Sequence, residues 1–420
     1  MIKKVVFVGN ARDTQMQSFK KKNYGISLFA SSDSKLWQDK SNRKLEQFDF
    51  VMPVSFVSRQ QIEKSLKGFY INPNTFLYTD SEKYLLSQAD IAAALSIRTN
   101  PFLTHENAVR LTSKFQQRRA FAENFPEITV AFKRIKTFHG AYMFTRKHGF
   151  PVIVKPVHLS QSQLVEVCND LEELISKVSY IFAHIEETYA DNGINRKPAV
   201  IIEQFITGRQ YSVDSYVDAD GVAVHTPICK QTVSRDIGGT GFETVWSGYP
   251  SYLSDEEESR VYEAVDKSIK ALGVKGNPTH IEVKIMPEGT VKIIEVNLRN
   301  GGMRATLLDL SFGIDHIDNT LKTIVGEPVF ISQKILKYSA VPQFWAPNIG
   351  DFEGLKNREK VQKLKSFVSD RLHTSHMGRE VGPAEKGYPK LYYAILAHKN
   401  EAQLQSDLQK ARELLKVIVK

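Results

Sequence analysis

Cysteine is scarce in this sequence, and long apolar runs are missing from it. The 420 residues include two cysteines, Cys168 and Cys229. They lie far apart and form no metal-binding motif, so reduced structural thiols are expected. No stretch approaches the roughly 18 consecutive apolar residues of a transmembrane helix. Because polar residues follow the opening MIKKVVFVGN at once, this segment is typical of a first β-strand and not of a signal peptide. We therefore expect a cytoplasmic protein with no membrane partner.

Several signatures of other protein classes are also missing. The formal net charge of +9 would suit nucleic acid, but no zinc-finger, helix-turn-helix or RNA-recognition motif accompanies it. The same charge suits a site for a polyanionic nucleotide. The segment VGNARD lacks the second and third glycines of a dinucleotide fingerprint. No nucleophile elbow and no Cys/His pairing suggests covalent catalysis. These absences favour a soluble protein that binds small molecules. They argue against nucleic acid as a partner.

The first part of the chain predicts a small α/β domain. Lys3–Gly9 and the run FDFVMPVSF are strand candidates, whereas SRQQIEKSL and KYLLSQADIAAAL have helical spacing. Ser58 is placed to cap the first of these helices. Strands that alternate with helices indicate a parallel sheet. At this length two or three domains are expected, and we place the first at residues 1–110.

The segment from Pro278 to Arg299, PTHIEVKIMPEGTVKIIEVNLR, predicts a β-hairpin. Two alternating runs flank Glu288 and Gly289, a pair suited to a two-residue turn. That turn would place Glu282 opposite Glu295. The same register sets His280 against Asn297, and it points Ile294 to the face opposite Glu295.

Opposed carboxylates in a mostly apolar hairpin indicate a cation site. Like charges directly across two strands destabilise a sheet, and a divalent cation removes that repulsion. Carboxylate oxygens with an asparagine carbonyl are the ligands that Mg²⁺ or Mn²⁺ prefers. Glu282, Glu295 and Asn297 are therefore candidate metal ligands. The alternative is a hairpin with one solvated face.

Cations recur upstream of this hairpin. Lys114, Arg118 and Arg119 lie on one predicted helix, where at least two of them share a face; a solvated basic helix is the alternative. Lys155 ends the apolar strand PVIV, and a lysine placed there requires an anionic partner. Of these cations, Lys155 is the one whose position points to an anionic ligand.

Three further polar residues are candidates for the nucleotide site. Ser160 and Ser162 lie in the loop HLSQSQL. This loop has none of the glycines that a phosphate-binding lid commonly uses. The hydroxyls of Ser160 and Ser162 can nevertheless donate to phosphate. Glu203 ends the strand AVIIEQF and is placed to accept from an adenine amino group; an ordinary strand-end acid is the alternative.

The last part of the chain has a glycine-rich loop and a terminal strand–helix unit. The loop IGGTG precedes an aromatic segment, and Ser254 is placed to cap an acidic helix. Near the end, GYPKLYYAILAH predicts a strand and NEAQLQSDLQKARELLKVIV an amphipathic helix.

Together these segments resemble the ATP-grasp carboxylate–amine ligases, and they are most similar to the branch that joins amino acids. The quoted likeness covers Lys114 with Arg118, GFPVIVKP, VIIEQFITGRQYSVD, Lys230 and EVNLRNGG, in the family's order over roughly residues 105–315. It implies an α/β (α+β) ATP-grasp fold with a Rossmann-like α/β domain first. A small lid domain would follow at 111–207, and a large domain with the metal hairpin at 208–420. The large domain would end in an α+β unit from about residue 330.

The resemblance also implies roles for individual residues. The residues that would hold ATP are Lys114, Lys155, Ser160, Ser162, Glu203, Gln204, Phe205, Ile206, Gln210 and Lys230. Gln210 stands where the family commonly has a glutamate for ribose, and Lys230 would reach the γ-phosphate. Two Mg²⁺ ions, or Mn²⁺, would be bound by Glu282, Glu295 and Asn297. The catalytic residues would be Arg299, Lys230 and Arg304. The substrate would be contacted by Glu243, Trp246, Arg299, Gly301, Gly302 and Arg304.

The implied reaction is ATP-dependent formation of an amide or peptide bond through an acyl phosphate, from a small-molecule carboxylate and an amine. In the family Phe242 and Glu243 would recognise a substrate amino group, and Trp246 replaces a frequent histidine. The alternatives are a bicarbonate-activating enzyme of the biotin carboxylase type and a non-catalytic nucleotide-binding protein. Dimers are common in the family, so a homodimer is an alternative to a monomer.

Overall fold

The structure, a computed structural model, describes residues 3–33, 45–159, 163–239, 241 and 243–420. Its first unit is a four-stranded parallel sheet in the order β3-β2-β1-β4, which confirms the predicted parallel arrangement. Ser58 caps α2 by accepting from the Gln61 N–H, as predicted. The elements are β1 (Lys4–Val8), α1 (Asp13–Lys21), β2 (Gly25–Ser31), β3 (Val51–Val54), α2 (Arg59–Ser65), β4 (Phe76–Tyr78), α3 (Leu85–Ala94) and α4 (His105–Leu111).

This sheet changes direction between β1 and β4. The chain runs from β1 to β2 on one side and later returns to add β4 on the other side of β1. In open parallel sheets, ligands bind outside the carboxyl ends of the strands at such a switch point. The segments that follow β1 and β4, Gly9–Arg12 and Asp80–Lys83, therefore lie where a ligand is expected.

The second unit is a four-stranded antiparallel sheet in the order β5-β8-β6-β7. In its register Ile153 of β6 lies opposite Glu203 of β8, so Lys155, two residues along, shares the face of Glu203. Helices α6 and α7 pack on this sheet through an apolar core. The elements here are α5 (Lys114–Asn124), β5 (Phe132–Ile135), α6 (Phe138–His148), β6 (Val152–Pro156), β7 (Glu166–Cys168), α7 (Leu171–Asp191) and β8 (Val200–Gln204).

A nine-stranded sheet forms the centre of the third unit. Its order is β14-β13-β9-β11-β12-β15-β19-β17, and β10 pairs with β9. Ser254 caps α8 in a capping box with Glu257, as predicted. The elements up to residue 325 are β9 (Arg209–Val217), β10 (Ala223–His225), β11 (Cys229–Val233), β12 (Thr244–Tyr249), α8 (Asp255–Leu272), β13 (Asn277–Ile285), β14 (Val291–Asn297), α9 (Arg304–Phe312) and α10 (His316–Val325).

The two faces of this large sheet differ in character. One face, here called the core face, packs Tyr211 and Val283 against α8 and α5 in the largest apolar cluster. The other, here called the cleft face, carries Gln210, Glu282 and Lys284. Because side chains alternate along a strand and paired residues share a face, each residue of β9, β11 and β13 is assigned to one face by its register.

The C-terminal stretch extends this sheet and adds a three-stranded sheet in the order β18-β16-β20. Its elements are β15 (Tyr338–Phe344), β16 (Gly350–Lys356), α11 (Arg358–Val361), β17 (Phe367–Leu372), β18 (Glu380–Val381), β19 (Tyr392–His398), α12 (Glu401–Leu414) and β20 (Lys416–Val419). The predicted terminal strand and helix are confirmed as β19 and α12. Lys416–Val419, predicted as helix, is instead a strand paired with β16, since its β-branched run suits a pleated surface.

No helix in the described part of the chain is long and apolar enough to cross a membrane. Cys168 and Cys229 are free and buried, as expected.

Candidate active site

The hairpin of β13 and β14 places the two predicted acids face to face. Glu282 lies opposite Glu295 and His280 opposite Asn297, as the sequence predicted. The turn itself differs from the prediction. The Met286 N–H donates to the Thr290 carbonyl, so three residues form the loop, with Gly289 in a left-handed conformation at φ +86°.

A β-bulge compensates for the extra turn residue. The register shifts by one residue after Glu282, where Val283 pairs with Ile293. Ile294 is the extra residue and lines the cleft, so the prediction that it points away from Glu295 is wrong. Bulges re-aim side chains in this way beside functional sites. The shift restores the opposition of Glu282 and Glu295.

The donor set of this hairpin fits a divalent cation. The amide oxygen of Asn297 is buried and makes no hydrogen bond to the described residues, although a buried carbonyl normally has a partner. Lys114 Nζ lies 3.3 Å from Glu295 Oε2. Burial alone would raise the pKa of Glu295, but Lys114 and a hydrogen bond from Asn297 outweigh burial and lower it to about 2. The carboxylates of Glu282 and Glu295 thus lie beside an unsatisfied amide oxygen.

A buried ion-pair network adjoins these ligands. Arg118 donates from Nε and Nη2 to the two oxygens of Glu203, both at 3.0 Å. Lys155 Nζ lies 2.9 Å from Glu203 Oε2. All three side chains are buried, and burial lowers the pKa of Lys155. Two cations therefore face one carboxylate, which leaves positive charge available to an incoming phosphate. Glu203 already accepts from both cations, a partnership that the adenine-acceptor hypothesis did not foresee.

A cleft of about 540 Å³ runs between the small sheet and the large one. One end is apolar, with Ile153, Phe205 and Ile206 in its walls; the other end carries Arg299, Glu282 and Glu295. Gly208 is needed at the apolar end, because its φ is +100° and a Cβ there would lie 2.1 Å from the Ile285 carbonyl oxygen. A site of this size and polarity is suited to a nucleotide with its base at the apolar end.

Amide and lysine side chains fix the walls of this end. Gln204 accepts from the Ala131 N–H, and Gln210 donates to Gln231 at 2.9 Å. Lys284, which the sequence reading missed, donates to the Ile206 carbonyl at 3.1 Å and lies 5.0 Å from the Phe205 ring centroid. The two-residue step from Glu282 would have placed Lys284 on the same face.

The N-terminal sheet also contributes side chains to the cleft. Glu82 lies beside Glu295 at the switch point. Its burial raises its pKa to about 7, and the charge of Glu295 adds to that rise. Arg12 and Asp80, paired at 2.8 Å, line the same end. No local pattern marks Glu82, because it follows β4 of the N-terminal sheet and faces a hairpin that belongs to another sheet.

Arg304 is a buried cation with neutral partners. Its side chain donates to Ser212 at 2.9 Å and to Ser247 at 3.3 Å, both on the cleft face. Its Nε makes no hydrogen bond to the described residues. A buried guanidinium held by hydroxyls is prepared for an anionic ligand. This geometry agrees with the carboxylate-clamp hypothesis.

The two glycines before Arg304 differ from the prediction. The Gly301 N–H donates to Asp214 at 2.8 Å, so this amide is not available to an acyl group. A Cβ at Gly301 would lie 2.5 Å from His280 Nδ1, whereas Gly302 faces open space. Only Gly302 keeps the predicted freedom to approach a ligand.

Asp214 organises a buried polar cluster behind the hairpin. It contacts His280 Nδ1 at 2.5 Å and His316 Nε2 at 2.8 Å, and His316 hydrogen-bonds Tyr216. Burial alone would raise the pKa of Asp214, but the two histidines hold it well below its ordinary value. His280 Nε2 lies 3.5 Å from Glu282 Oε1. Asp214 therefore fixes the His280 ring against a candidate metal ligand.

Two predicted residues lie on the wrong face of the sheet. Lys230 pairs with Tyr211 and Gly248, so it projects from the core face. Its Nζ lies 5.5 Å from the ring centroids of Trp246 and Tyr252. Trp246 packs on the apolar cluster beneath α12. This geometry does not place Lys230 at a γ-phosphate in the cleft or Trp246 beside a substrate there, because strand alternation turns both side chains away from the cleft.

Of the remaining predicted site residues, some are described by the structure and others are not. Glu243 folds over Gly241, and its Oε2 is buried without a hydrogen bond to the described residues. Arg299 lines the cleft and donates to the Asn300 carbonyl at 3.0 Å. Ser160, Ser162 and Phe242 lie outside the described residues.

Chemically, this arrangement can bind a polyanion and a divalent cation together. Within the described ranges no three His, Cys, Asp or Glu side chains cluster as a complete metal site. Two carboxylates with one amide oxygen instead suit Mg²⁺, which retains water or takes ligand phosphate oxygens. Among the described residues that line the cleft there is no nucleophile–base pair, and these residues favour positioning and charge neutralisation.

Comparison with known proteins agrees with this geometry. Residues 148–307 match the ATP-grasp domain. Alanine–anticapsin ligase of Bacillus subtilis is 24% identical over 296 residues, which cover 67% of this chain and 58% of that protein. The large chain of carbamoyl phosphate synthase from Clostridium botulinum is 26% identical over 285 residues, or 59% of this chain and 25% of that one. The chain thus spans less than two thirds of the length of these relatives.

The fold match extends over the whole chain. The crystal structure of an L-amino acid ligase from Bacillus licheniformis superposes with a TM-score of 0.83 at 18% identity, covering 100% of this chain and 99% of that one. The predicted α/β (α+β) arrangement is confirmed. Residues 148–307 therefore form an ATP-grasp domain, and the chain as a whole has the ATP-grasp fold.

Proposed function

We propose that this protein is an ATP-dependent ligase that joins a carboxylate to an amine, with amino acids as substrates. The observation that carries the proposal is the opposition of Glu282 and Glu295 beside the unsatisfied Asn297 oxygen. This donor set lies at the charged end of a nucleotide-sized cleft. The ligases among the relatives support the assignment.

ATP occupies the cleft with its base at the apolar end. The Gln204–Ile206 segment borders the adenine, and Gln210, held by Gln231, is placed for the ribose. Lys114 and Lys155 neutralise the phosphates. Their present partners, Glu295 and Glu203, hold both amines in the cleft before ATP arrives.

Glu282, Glu295 and Asn297 would hold Mg²⁺, with Mn²⁺ as an alternative, and two ions are expected. Bound there, the metal supplies charge neutralisation to the phosphate oxygens. The protein's own part is to hold these oxygens rigidly. His280, fixed by Asp214, steadies Glu282, and Lys114 steadies Glu295.

The reaction proceeds in two steps. A carboxylate oxygen of the donor attacks the γ-phosphorus of ATP; a new O–P bond forms, the bond to the β-phosphate oxygen breaks, and ADP leaves with its electron pair. The amine of the acceptor then attacks the acyl carbon. A C–N bond forms, the C–O bond to phosphate breaks, and inorganic phosphate and one proton are released. Arg299 stabilises the transferred phosphoryl group.

The donor lies on the side of Arg304. This buried guanidinium, which donates to the Ser212 and Ser247 hydroxyls, takes the donor's carboxylate or the acyl phosphate. The exposed backbone of Gly302 borders the acyl group, and Glu243 is placed for the donor's amino group. Arg304 brings a fixed charge at no cost of reorganisation during the reaction.

The test is release of ADP and phosphate from Mg²⁺-ATP with amino acids supplied singly and in pairs. We expect release that requires amino acids, with a product whose mass equals the pair minus water. Mass spectrometry of the product identifies donor and acceptor together. Release that requires bicarbonate instead would support a carboxylase. ATP binding without release for any carboxylate would contradict the ligase proposal.

A further inference from the structure

A second cavity opens from the phosphate end of the cleft. It has a volume of about 350 Å³ and lies between the N-terminal unit and residues 192–196. Glu82, Lys114 and Glu295 line both this cavity and the cleft. Its volume falls in the range of small-molecule sites, and it does not overlap the apolar end that suits adenine.

A third, larger cavity of about 750 Å³ continues from the second. The two share Val57, Ser87, Ile194 and Arg196 in their walls. Together they form a passage, here called the side passage, that reaches the metal ligands from a direction different from the cleft. The Asn195 side chain donates to the Val57 carbonyl at 2.6 Å, which fixes one wall of the side passage to the other.

Arg196 stands where these two cavities meet. Its Nη1 donates to Thr112 Oγ1 at 2.9 Å and contacts His158 Nδ1 at 3.2 Å. It forms no ion pair with a carboxylate in the described part of the chain. Burial and the charge of Arg196 lower the pKa of His158 to about 4, so the ring is neutral at pH 7 and accepts from the guanidinium. A half-buried arginine with neutral partners is prepared for an anionic ligand.

The inner cavity carries charged side chains of both signs, Lys83 and Asp90 among them. Arg196 lies at the outer end, and the acids Glu82 and Glu295 lie at the inner end beside Lys114. An amino acid likewise carries charges of both signs, a negative carboxylate and a positive amine. A purely anionic ligand would meet the acids, and a purely cationic one would meet Arg196.

We propose that the side passage binds the acceptor amino acid, with its carboxylate on Arg196 and its amine toward Glu82 and the acyl phosphate. This inference rests on the proposed ligase activity and names the site of its second substrate. The donor and ATP then occupy the cleft while the acceptor enters separately. An acceptor that fills the passage then excludes water from the acyl phosphate.

The test compares an acceptor amino acid with its α-carboxamide, which lacks the carboxylate. We expect Arg196→Met to raise the KM of the amino acid by at least about tenfold, the value of a charge-assisted hydrogen bond. The KM of the carboxamide should change much less, so that the wild-type preference for the acid disappears. The control is Arg146→Met, an exposed arginine on α6, which should leave both values unchanged.

Hydroxylamine separates this proposal from the one on which it rests. It traps an acyl phosphate as a hydroxamate and has no carboxylate to bind. If wild-type protein with Mg²⁺-ATP forms no hydroxamate from any amino acid, the ligase proposal is wrong, and this one with it. If hydroxamate forms but Arg196→Met leaves the acid-to-carboxamide preference intact, only the acceptor site is wrong.

A second variant leaves Arg196 in place and fills the passage instead. Ser87 is a buried residue of α3 that lines both cavities, so Ser87→Leu should obstruct the route without altering charge. We expect the KM to rise for the amino acid and its carboxamide alike, with the KM for ATP within about twofold of wild type. Unchanged acceptor kinetics in Ser87→Leu would overturn the proposal even if Arg196→Met does not fold.

Discussion

The hairpin β13–β14 and the strand pair β11–β12 lie on either side of β9 in one sheet, and they place their charged side chains differently. On β13 the charged residues Glu282 and Lys284 face the cleft. On β11 the charged residue Lys230 faces away, toward Trp246 and Tyr252, and the neutral Gln231 shares the cleft face with Gln210. Two strands at one site thus direct their charges to opposite faces of the sheet.

This difference shows that the face of a charged residue is set by register and not by its charge. A lysine can lie over aromatic rings with its stem buried and still have a favourable environment. A one-residue slip along a strand reverses every side chain. Residue type therefore indicates a ligand only when a second residue on a paired strand shares its face.

The largest effect should come from the hairpin side of this comparison. Glu295→Gln removes a carboxylate that we propose as a metal ligand, while keeping the shape of the side chain. We expect kcat/KM for ADP release to fall by roughly a thousandfold, because charge at the transferred phosphate is no longer balanced. Steady-state assays across Mg²⁺ concentrations measure the loss.

The matched control lies in the same hairpin. Glu288 is an exposed residue of the turn, and Glu288→Gln should retain full activity and thermal stability. Equal losses in the two variants would show that Glu295 acts through hairpin stability and not through a metal.

Two features of this hairpin, an extra turn residue and a β-bulge, offset each other and decide how much of it the sequence predicts. The period of two correctly opposed Glu282 and Glu295, although the turn has three residues and not two. The bulge at Ile294 absorbs the extra residue, and no sequence pattern distinguishes a bulged isoleucine from a regular one. The acids were located correctly, and the face of Ile294 was not.

A somewhat smaller effect should be a loss in the free energy of unfolding when the Arg118–Glu203–Lys155 network is broken. The two cations lower the pKa of Glu203 from its ordinary value near 4.5 to about 2, against the opposite effect of burial. A lowered pKa contributes stability that is present above pH 4.5 and is lost as pH falls toward 2. Glu203→Gln should therefore cost about 3 kcal/mol at pH 7.

Chemical denaturation at a series of pH values measures this difference. The gap between wild type and Glu203→Gln should narrow steadily as pH falls from 4.5 toward 2, because the carboxyl of Glu203 becomes protonated in the unfolded chain while it stays ionised in the folded protein. Glu187→Gln, an exposed acid on α7, should show no such gap. A gap that stays constant down to pH 3 would mean that lost packing, and not charge, explains the cost.

Residues that meet only through the fold could not be predicted. Glu82 reaches Glu295 from another sheet, across more than half the chain, and its surrounding sequence shows no motif. The sequence groups Arg118 with Lys114 as cations of one basic helix, but the Arg118 side chain is fully buried against Glu203. Local patterns predict strands, caps and faces; the contacts between units depend on packing that no local pattern encodes.

A change at Trp246, on the core face, should lower the stability of the folded protein without changing its substrate specificity. Trp246 packs beneath α12 with Leu404 and Leu408. Trp246→His should destabilise the protein by about 2 kcal/mol through lost apolar contact. The order of preferred amino acids should not change. Thermal unfolding and the substrate-pair assay measure the two outcomes, and an altered order of substrates would return Trp246 to the site.

The smallest effect should distinguish two adjacent residues of β11. Gln231→Leu removes the partner that holds Gln210 toward the ribose, and loss of one hydrogen bond should raise the KM for ATP about fivefold. Lys230→Met keeps the stem over Trp246 and should change that KM by less than about twofold. ATP titrations of the two variants under identical conditions decide whether Lys230 or Gln231 faces the cleft. The reverse result, with Lys230→Met the weaker binder, would mean that β11 presents its lysine to the phosphates when ATP is bound. Since the pleat allows only one of the two neighbours to face the cleft, this pair of variants tests the register of the strand directly.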